Sequence, residues 1–136
     1  MMVDANSIID ITLRFWGEKL VPVNITSALK LEPTKFYRKG EVIPSKHEKA
    51  RIAKGGLWAL SKKDLASSDI DNYVSKLVSI LGQSGFGKQR IGNYEQAAIC
   101  FTFGVTEESD SIDYVISPEL ISKISGLKIN LSFTII

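Results

Sequence analysis

Apolar and polar side chains alternate in three stretches of this chain. Ile9 to Phe15, Ala97 to Val105 and Ile129 to Ile135 each place an apolar residue at every second position. A period of two is typical of a strand that buries one face and exposes the other. The pattern therefore predicts three strands of one sheet, and Leu57 to Ser61, around Trp58, adds a fourth.

Spacings of three and four residues predict two amphipathic helices. Apolar residues recur at this interval from Ile70 to Leu81, after capping residues at Ser67 to Asp69 and before Gly82. Ser117 followed by Pro118 is typical of a helix start, and Gly126 predicts where this second helix ends. We expect these two helices to seal the apolar side of the sheet.

The segment between the first strand and Trp58 has weaker patterns. Asn24 can cap a brief helix that must end before Pro33. Thr34 to Ile43 is interpreted as a second strand, which Pro44 stops. Residues 44–54 are polar and basic without apolar periodicity, and they are predicted to form a solvated loop.

The order of these elements indicates an α+β fold, in a single domain that spans residues 1–136. Helices this few and short cannot cover both faces of a sheet. We therefore expect two layers: a mainly antiparallel sheet of four to five strands with two or three helices on one face, in a variant of the ferredoxin-like arrangement.

The second face of such a sheet is left open, and alternation assigns its residues. Most of them are small and polar, which suits contact with water and argues against a large obligate hydrophobic interface. They are Asp10, Thr12, Arg14, Trp16, Cys100, Thr102, Asn130, Ser132 and Thr134.

Composition excludes several classes of protein. A single cysteine among 136 residues leaves no intramolecular disulfide and no multi-thiolate zinc site. The N-terminal residues do not form a secretory signal, and no apolar run reaches the roughly 18 residues that span a bilayer. We expect a soluble protein of the cytoplasm.

Charge is balanced overall but unevenly distributed. The net charge is +2, yet residues 35–54 hold seven basic side chains against Glu41 and Glu48. Lys and Arg interleaved with Phe36 and Tyr37 could neutralise phosphates while the rings stack on bases. The same segment could instead be a solvated loop or the rim of a protein interface.

Three short segments of the middle third carry a resemblance to a known family. They are Leu31-Glu32-Pro33-Thr34, then Arg38-Lys39-Gly40, then Gly56 to Ser61 around Trp58. The pattern resembles that of the bacterial domain-of-unknown-function family DUF4279, more loosely from the first strand to Leu81. The resemblance implies a small soluble bacterial domain without agreed catalytic residues. Some small stand-alone bacterial domains act as antidotes that bind a toxin, and this is an analogy rather than a family property.

Candidate catalytic and ligand motifs are each better explained by structure. Residues 82–89 satisfy a phosphate-binding pattern until its last position, where Gln89 replaces Ser or Thr, and a helix precedes them. Cys100 with His47 could form a nucleophile and base, but Cys100 lies within a strand and His47 in a polar loop. The acidic run from Glu107 to Asp113 lacks the spacing of a calcium loop. We expect no catalytic residue, metal or cofactor.

The leading hypothesis is therefore a non-enzymatic module that binds a protein partner, or a second copy of itself, through the open face or the basic loop. The alternative is a nucleic-acid-binding protein that uses the basic segment. Trp16 is expected to be partly exposed, as binding tryptophans are, whereas Trp58 fits the core equally well. The candidate contact residues are Arg14, Trp16, Lys35, Arg38, Lys39, Lys46, Lys49, Arg51, Lys54 and Trp58.

Overall fold

A computed structural model describes residues 7–44, 49–86, 88, 90–105 and 116–135. In chain order its elements are β1 (Ser7–Gly17), α1 (Pro22–Leu29), β2 (Lys35–Tyr37), β3 (Val42–Ile43), β4 (Arg51–Ile52), β5 (Gly56–Leu65), α2 (Ile70–Gln83), β6 (Gln96–Val105), α3 (Pro118–Leu127) and β7 (Asn130–Ile135). Two single turns of 3₁₀ helix precede α2 and β6.

The sheet has five strands in the order β2-β5-β1-β6-β7. All neighbours are antiparallel except β6 and β7, which run parallel with α3 between them along the chain. The predicted α+β class with a mainly antiparallel sheet is confirmed. The finer ferredoxin-like detail is not confirmed, because the parallel strands are direct neighbours.

The core forms on the face that alternation predicts. Ile9, Ile11, Leu13 and Phe15 of β1 are buried, and residues of α1, α2 and α3 pack in the same cluster. Burial of this stripe removes apolar area from water, which is the main free-energy gain of folding. None of the described helices has the length and apolar content needed to cross a membrane.

The helices do not cover the apolar face of the sheet at β7, contrary to the prediction. Its apolar residues share the core face with β6, and Phe133 stacks on Phe101 with ring centroids 5.1 Å apart. Phe101 is buried, but Phe133 is 54% exposed and Ile135 71% exposed. The expectation that helices enclose every alternating strand is therefore wrong for this edge strand.

Helix starts differ in part from the prediction. Ser117 caps α3 as expected, since its hydroxyl accepts a hydrogen bond of 3.2 Å from the Leu120 N–H. Asn24 does not cap α1, because the helix already starts at Pro22. Proline suits the first helical position, where the backbone N–H that it lacks has no partner within the helix. Asp69 precedes α2 without a capping bond from its side chain, and α2 continues past Gly82 to Gln83.

The described part of residues 34–54 forms three short strands, β2, β3 and β4, rather than the predicted strand over 34–43 followed by a loop. Gly40 adopts a φ of 91°, which favours glycine, and the turn here separates β2 from β3. β3 then pairs with β4 in a small second sheet, extended by hydrogen bonds of 2.9 Å from Gly40 N–H to the Ala53 carbonyl and 2.8 Å from Ala53 N–H to the Glu41 carbonyl. The prediction missed this hairpin because strands of two residues leave no periodicity to detect.

Candidate functional site

The open face of the sheet carries the residues that alternation assigned to it. Strand register places Thr12 beside Cys100 and Ser132, and Arg14 beside Ala98 and Asn130. The nine residues predicted for this face all lie on it. The sequence therefore predicted correctly which side of the sheet lacks helices.

Arg14 stands in the middle of this face among small neighbours. Strand pairing sets it between Ala59 on β5 and Ala98 on β6, and Lys35 follows beyond Ala59 in the same row. Alanine side chains leave space beside the guanidinium, which is exposed. This row of the sheet consequently places two cationic side chains beside the small apolar side chains of Ala59 and Ala98.

Trp16 and Tyr37 lie one row further along, on either side of Leu57. Both rings are half-buried, and the Lys35 ammonium lies 5.9 Å from the centre of the Tyr37 ring. Gly55 allows the indole of Trp16 to lie against the backbone, because a Cβ at this position would meet the Trp16 Cζ2 at 2.9 Å. Sequence patterns give no signal for this contact, since it joins β1 to the residue that precedes β5.

Two clefts flank the Trp16 ring. The first, which we call the hairpin cleft, lies between the open face and the β3–β4 hairpin and has a volume of about 350 Å³. Its main lining residues are Trp16, Tyr37, Ile43, Arg51, Ile52 and Lys54. The second, the smaller cleft, measures about 90 Å³ and is lined by Arg14, Trp16, Gln96 and Asn130, among others.

The electrostatic character of this site is positive. Arg14, Arg51 and Lys54 line the two clefts, and no carboxylate is among the described residues that line them. Asp10 lies on the same face but at its far end, where its carboxylate accepts a hydrogen bond of 2.9 Å from the Asp64 N–H. The described part of the Trp16 end is thus suited to an anionic ligand.

Arg38 and Lys39 line neither of these two clefts. Arg38 lines a groove of about 440 Å³ beside α1, where Glu32 and Glu41 also lie. Lys39 forms an ion pair of 2.5 Å with Glu18, and this hydrogen bond holds the pKa of the Glu18 carboxyl below its ordinary value of 4.5. Both cations already have acidic neighbours.

Lys46, Lys49 and Trp58 are the remaining candidates from the sequence. Lys49 is exposed and lines none of the described clefts, and Lys46 lies outside the described residues. Trp58 is completely buried, and its indole N–H donates a hydrogen bond of 3.0 Å to the Thr26 hydroxyl. We therefore remove Trp58 from the candidate contact residues, because its ring belongs to the core.

Cys100 lies on the open face, and its thiol is not activated. Burial raises the pKa of the Cys100 thiol, although the Arg14 cation and a hydrogen bond with Ser132 act in the opposite direction. A raised pKa lowers the fraction of nucleophilic thiolate at neutral pH. Its proposed base, His47, lies outside the described residues.

The other motifs gain no support as sites. The glycine-rich segment begins at the end of α2, and a 3₁₀ turn at Ile91–Asn93 precedes β6, so a helix comes before it and a strand after it, as expected of a connection. The acidic run from Glu107 to Asp113 lies outside the described residues. Within the described ranges, no group of three or more His, Cys, Asp or Glu side chains could hold a metal ion.

Comparison with known families covers nearly the whole chain. The family described as "Domain of unknown function (DUF4279)" matches residues 7–136. The chain belongs to the DUF4279 family. No curated protein and no solved structure matches it. The DUF4279 description names no activity.

Proposed function

We propose that this protein is a non-catalytic binding module that docks an acidic protein partner on the Trp16 end of its open sheet face. The observation that carries the proposal is the position of Trp16 between two clefts that three cations line. Tryptophan, tyrosine and arginine are the residues that most often dominate the affinity of protein interfaces. All three residue types meet here, as Trp16, Tyr37, Arg14 and Arg51.

The surroundings of these residues also favour a partner of this kind. The face is a nearly continuous strip of sheet with small side chains, so a partner can approach Arg14 and Trp16 closely. Complementary charge accelerates encounter and selects against basic partners. A reducing compartment such as the cytoplasm suits the module, because Cys100 on this face stays a free thiol there.

An antidote that blocks a toxin by covering its surface is one form that such a module takes. Catalysis is not part of the proposal, since the thiol on this face is the protein's one cysteine and its pKa is raised. The module is expected to act by occupancy alone.

Affinity capture from the native host tests the proposal. Wild-type protein, Trp16→Ala and Arg14→Glu serve as baits, with Phe36→Ala as the matched control because Phe36 is an exposed aromatic ring on the other face of β2. We expect one stoichiometric companion on wild type and Phe36→Ala, and its loss from the other two baits. A companion that binds all four baits equally, or recovery of the bait alone, contradicts the proposal.

A nucleic-acid partner is the second candidate, and one observation favours it. Trp16 and Tyr37 occupy one row of an open sheet face beside cations, as the stacking residues of RNA-binding sheets do. A labelled single-stranded oligonucleotide should then bind with an affinity that falls steeply as salt rises. Absence of binding at low salt removes this candidate.

A further inference from the structure

The hairpin cleft is formed by contacts that hold the β3–β4 hairpin beside the sheet. Backbone hydrogen bonds join both arms of the hairpin next to Gly40 and Ala53, and Ala53 is buried. Gly55 then brings the chain against the indole of Trp16 before β5 begins. The cleft is therefore fixed by backbone pairing on one side and by the main sheet on the other.

The hairpin cleft is lined by both apolar and cationic side chains. Ile43 and Ile52 line the cleft together with the rings of Trp16 and Tyr37, although Ile52 lies on the opposite face of the hairpin from Ile43 and is 67% exposed. Arg51 and Lys54 are exposed beside them, and no described carboxylate lines the cleft. An occupant must consequently combine an apolar group with nearby negative charge.

Size limits the occupant to a small group. A volume of about 350 Å³ lies at the low end of the range for ligand pockets, about 300–1,000 Å³. One large side chain with its flanking backbone is of this size, whereas a folded domain is not. Arg51, Ile52 and Lys54 of its lining are exposed, so an extended segment can reach them.

A nucleotide fits less well than a peptide. The Lys35 ammonium lies over one face of the Tyr37 ring, 5.9 Å from its centre, and does not cover the other face. The branched apolar side chains of Ile43 and Ile52 offer no hydrogen bonds to a base edge. They do offer contact area to an apolar side chain.

We infer that the hairpin cleft receives an aromatic or branched apolar side chain from an extended acidic segment of the partner, while Arg51 and Lys54 contact the carboxylates on either side of it. This inference rests on the proposed function and adds to it the chemistry of the docked segment. Charged pairs at the rim set the salt dependence of such a contact, and the buried side chain sets its lifetime.

Fluorescence anisotropy with defined peptides tests the inference. The probes are short labelled peptides in which Phe, Tyr, Leu or Ile is flanked by glutamates, and a matched set has glutamines instead. We expect the glutamate set to bind and the glutamine set to bind more weakly by on the order of tenfold. The double variant Arg51→Glu/Lys54→Glu should lose binding by a similar factor, whereas Lys76→Glu on α2 should not.

Each other outcome overturns the inference. The inference is contradicted if every peptide has a dissociation constant above about 1 mM, if the glutamate and glutamine sets bind equally, or if AMP displaces the bound peptide. The companion protein separates this failure from that of the proposed function. If the companion protein loses binding to the Trp16 and Arg14 variants but still binds the Arg51→Glu/Lys54→Glu variant, only the inference is contradicted. If it still binds Trp16→Ala, both the inference and the proposed function are contradicted.

Discussion

The two tryptophans occupy adjacent rows of the sheet and have opposite roles. Trp58 pairs with Phe15 in the register of β1 and β5, and Trp16 pairs with Leu57 one step away. Trp58 points into the core, where its ring meets Phe15 edge-on at 5.6 Å, while Trp16 lies half-buried between two clefts. A shift of one position along a strand thus separates a residue that stabilises the fold from one that is available to a partner.

Replacement of each tryptophan by alanine gives the largest contrast. Trp58→Ala removes a fully buried ring and should lower the free energy of unfolding by about 3–5 kcal/mol. Trp16→Ala should lower it by about 1 kcal/mol, since the ring is half-buried rather than enclosed in the core. Guanidinium unfolding followed by far-ultraviolet circular dichroism measures both. A larger loss for Trp16→Ala would reverse the assignment of the two rings.

The hydrogen bond of Trp58 provides the next test. Thr26→Val keeps the shape of the side chain but removes the acceptor of the indole N–H, which should cost about 1–2 kcal/mol of unfolding free energy. Thr26→Ser keeps the hydroxyl and is the control, with a smaller loss in the same denaturant titration. Equal losses for Val and Ser would show that the hydroxyl does not hold the ring.

Gly55→Ala tests the contact between the Trp16 indole and the backbone before β5. The added Cβ would approach the indole to 2.9 Å, so the ring must tilt, and the near-ultraviolet circular dichroism of tryptophan should change. The free energy of unfolding should fall by only about 1 kcal/mol or less, because the end of a side chain can move.

Gly82→Ala is the matched control for this change. Gly82 lies within α2 with open space around it, and alanine there should raise the free energy of unfolding by about 0.5–1 kcal/mol. It should leave the near-ultraviolet spectrum unchanged. An unaltered spectrum for Gly55→Ala itself would contradict the contact with Trp16.

The smallest expected effect concerns Cys100. Its pKa is raised by burial and lowered in part by Arg14, so Arg14→Gln should raise the pKa further and reduce the thiolate fraction at a given pH. Alkylation by iodoacetamide at mildly alkaline pH should therefore be slower in Arg14→Gln than in wild type. Lys76→Gln, on α2, should match wild type. A faster reaction in Arg14→Gln would place the guanidinium away from the thiol.

Much of this fold follows from the sequence, because long strands and helices carry their burial in their periodicity. β1, β6 and β7 alternate over their lengths, and α2 keeps its apolar stripe from Ile70 to Leu81. The β3–β4 hairpin and the exposure of Phe133 were not predictable in this way. They depend on tertiary pairing and on how far the helices extend across the sheet.

The candidate site was predictable to a smaller extent. Alternation placed Arg14 and Trp16 on the open face, since it requires only the direction of β1. Tyr37 and Gly55 join them through strand order and the turn before β5, for which no local pattern exists. Charge counting named Arg51 and Lys54, which line the hairpin cleft, but could not separate them from Arg38, whose groove lies on the other face.

Nuclear magnetic resonance of the two indole N–H groups tests whether a partner docks on Trp16 and not on Trp58. The spectrum of Trp16→Phe assigns the two signals, and the wild-type protein is then titrated with the companion protein recovered by capture. We expect the Trp16 signal to shift or broaden on binding while the Trp58 signal stays in place. A Trp16 signal that remains unchanged in the saturated complex would contradict it.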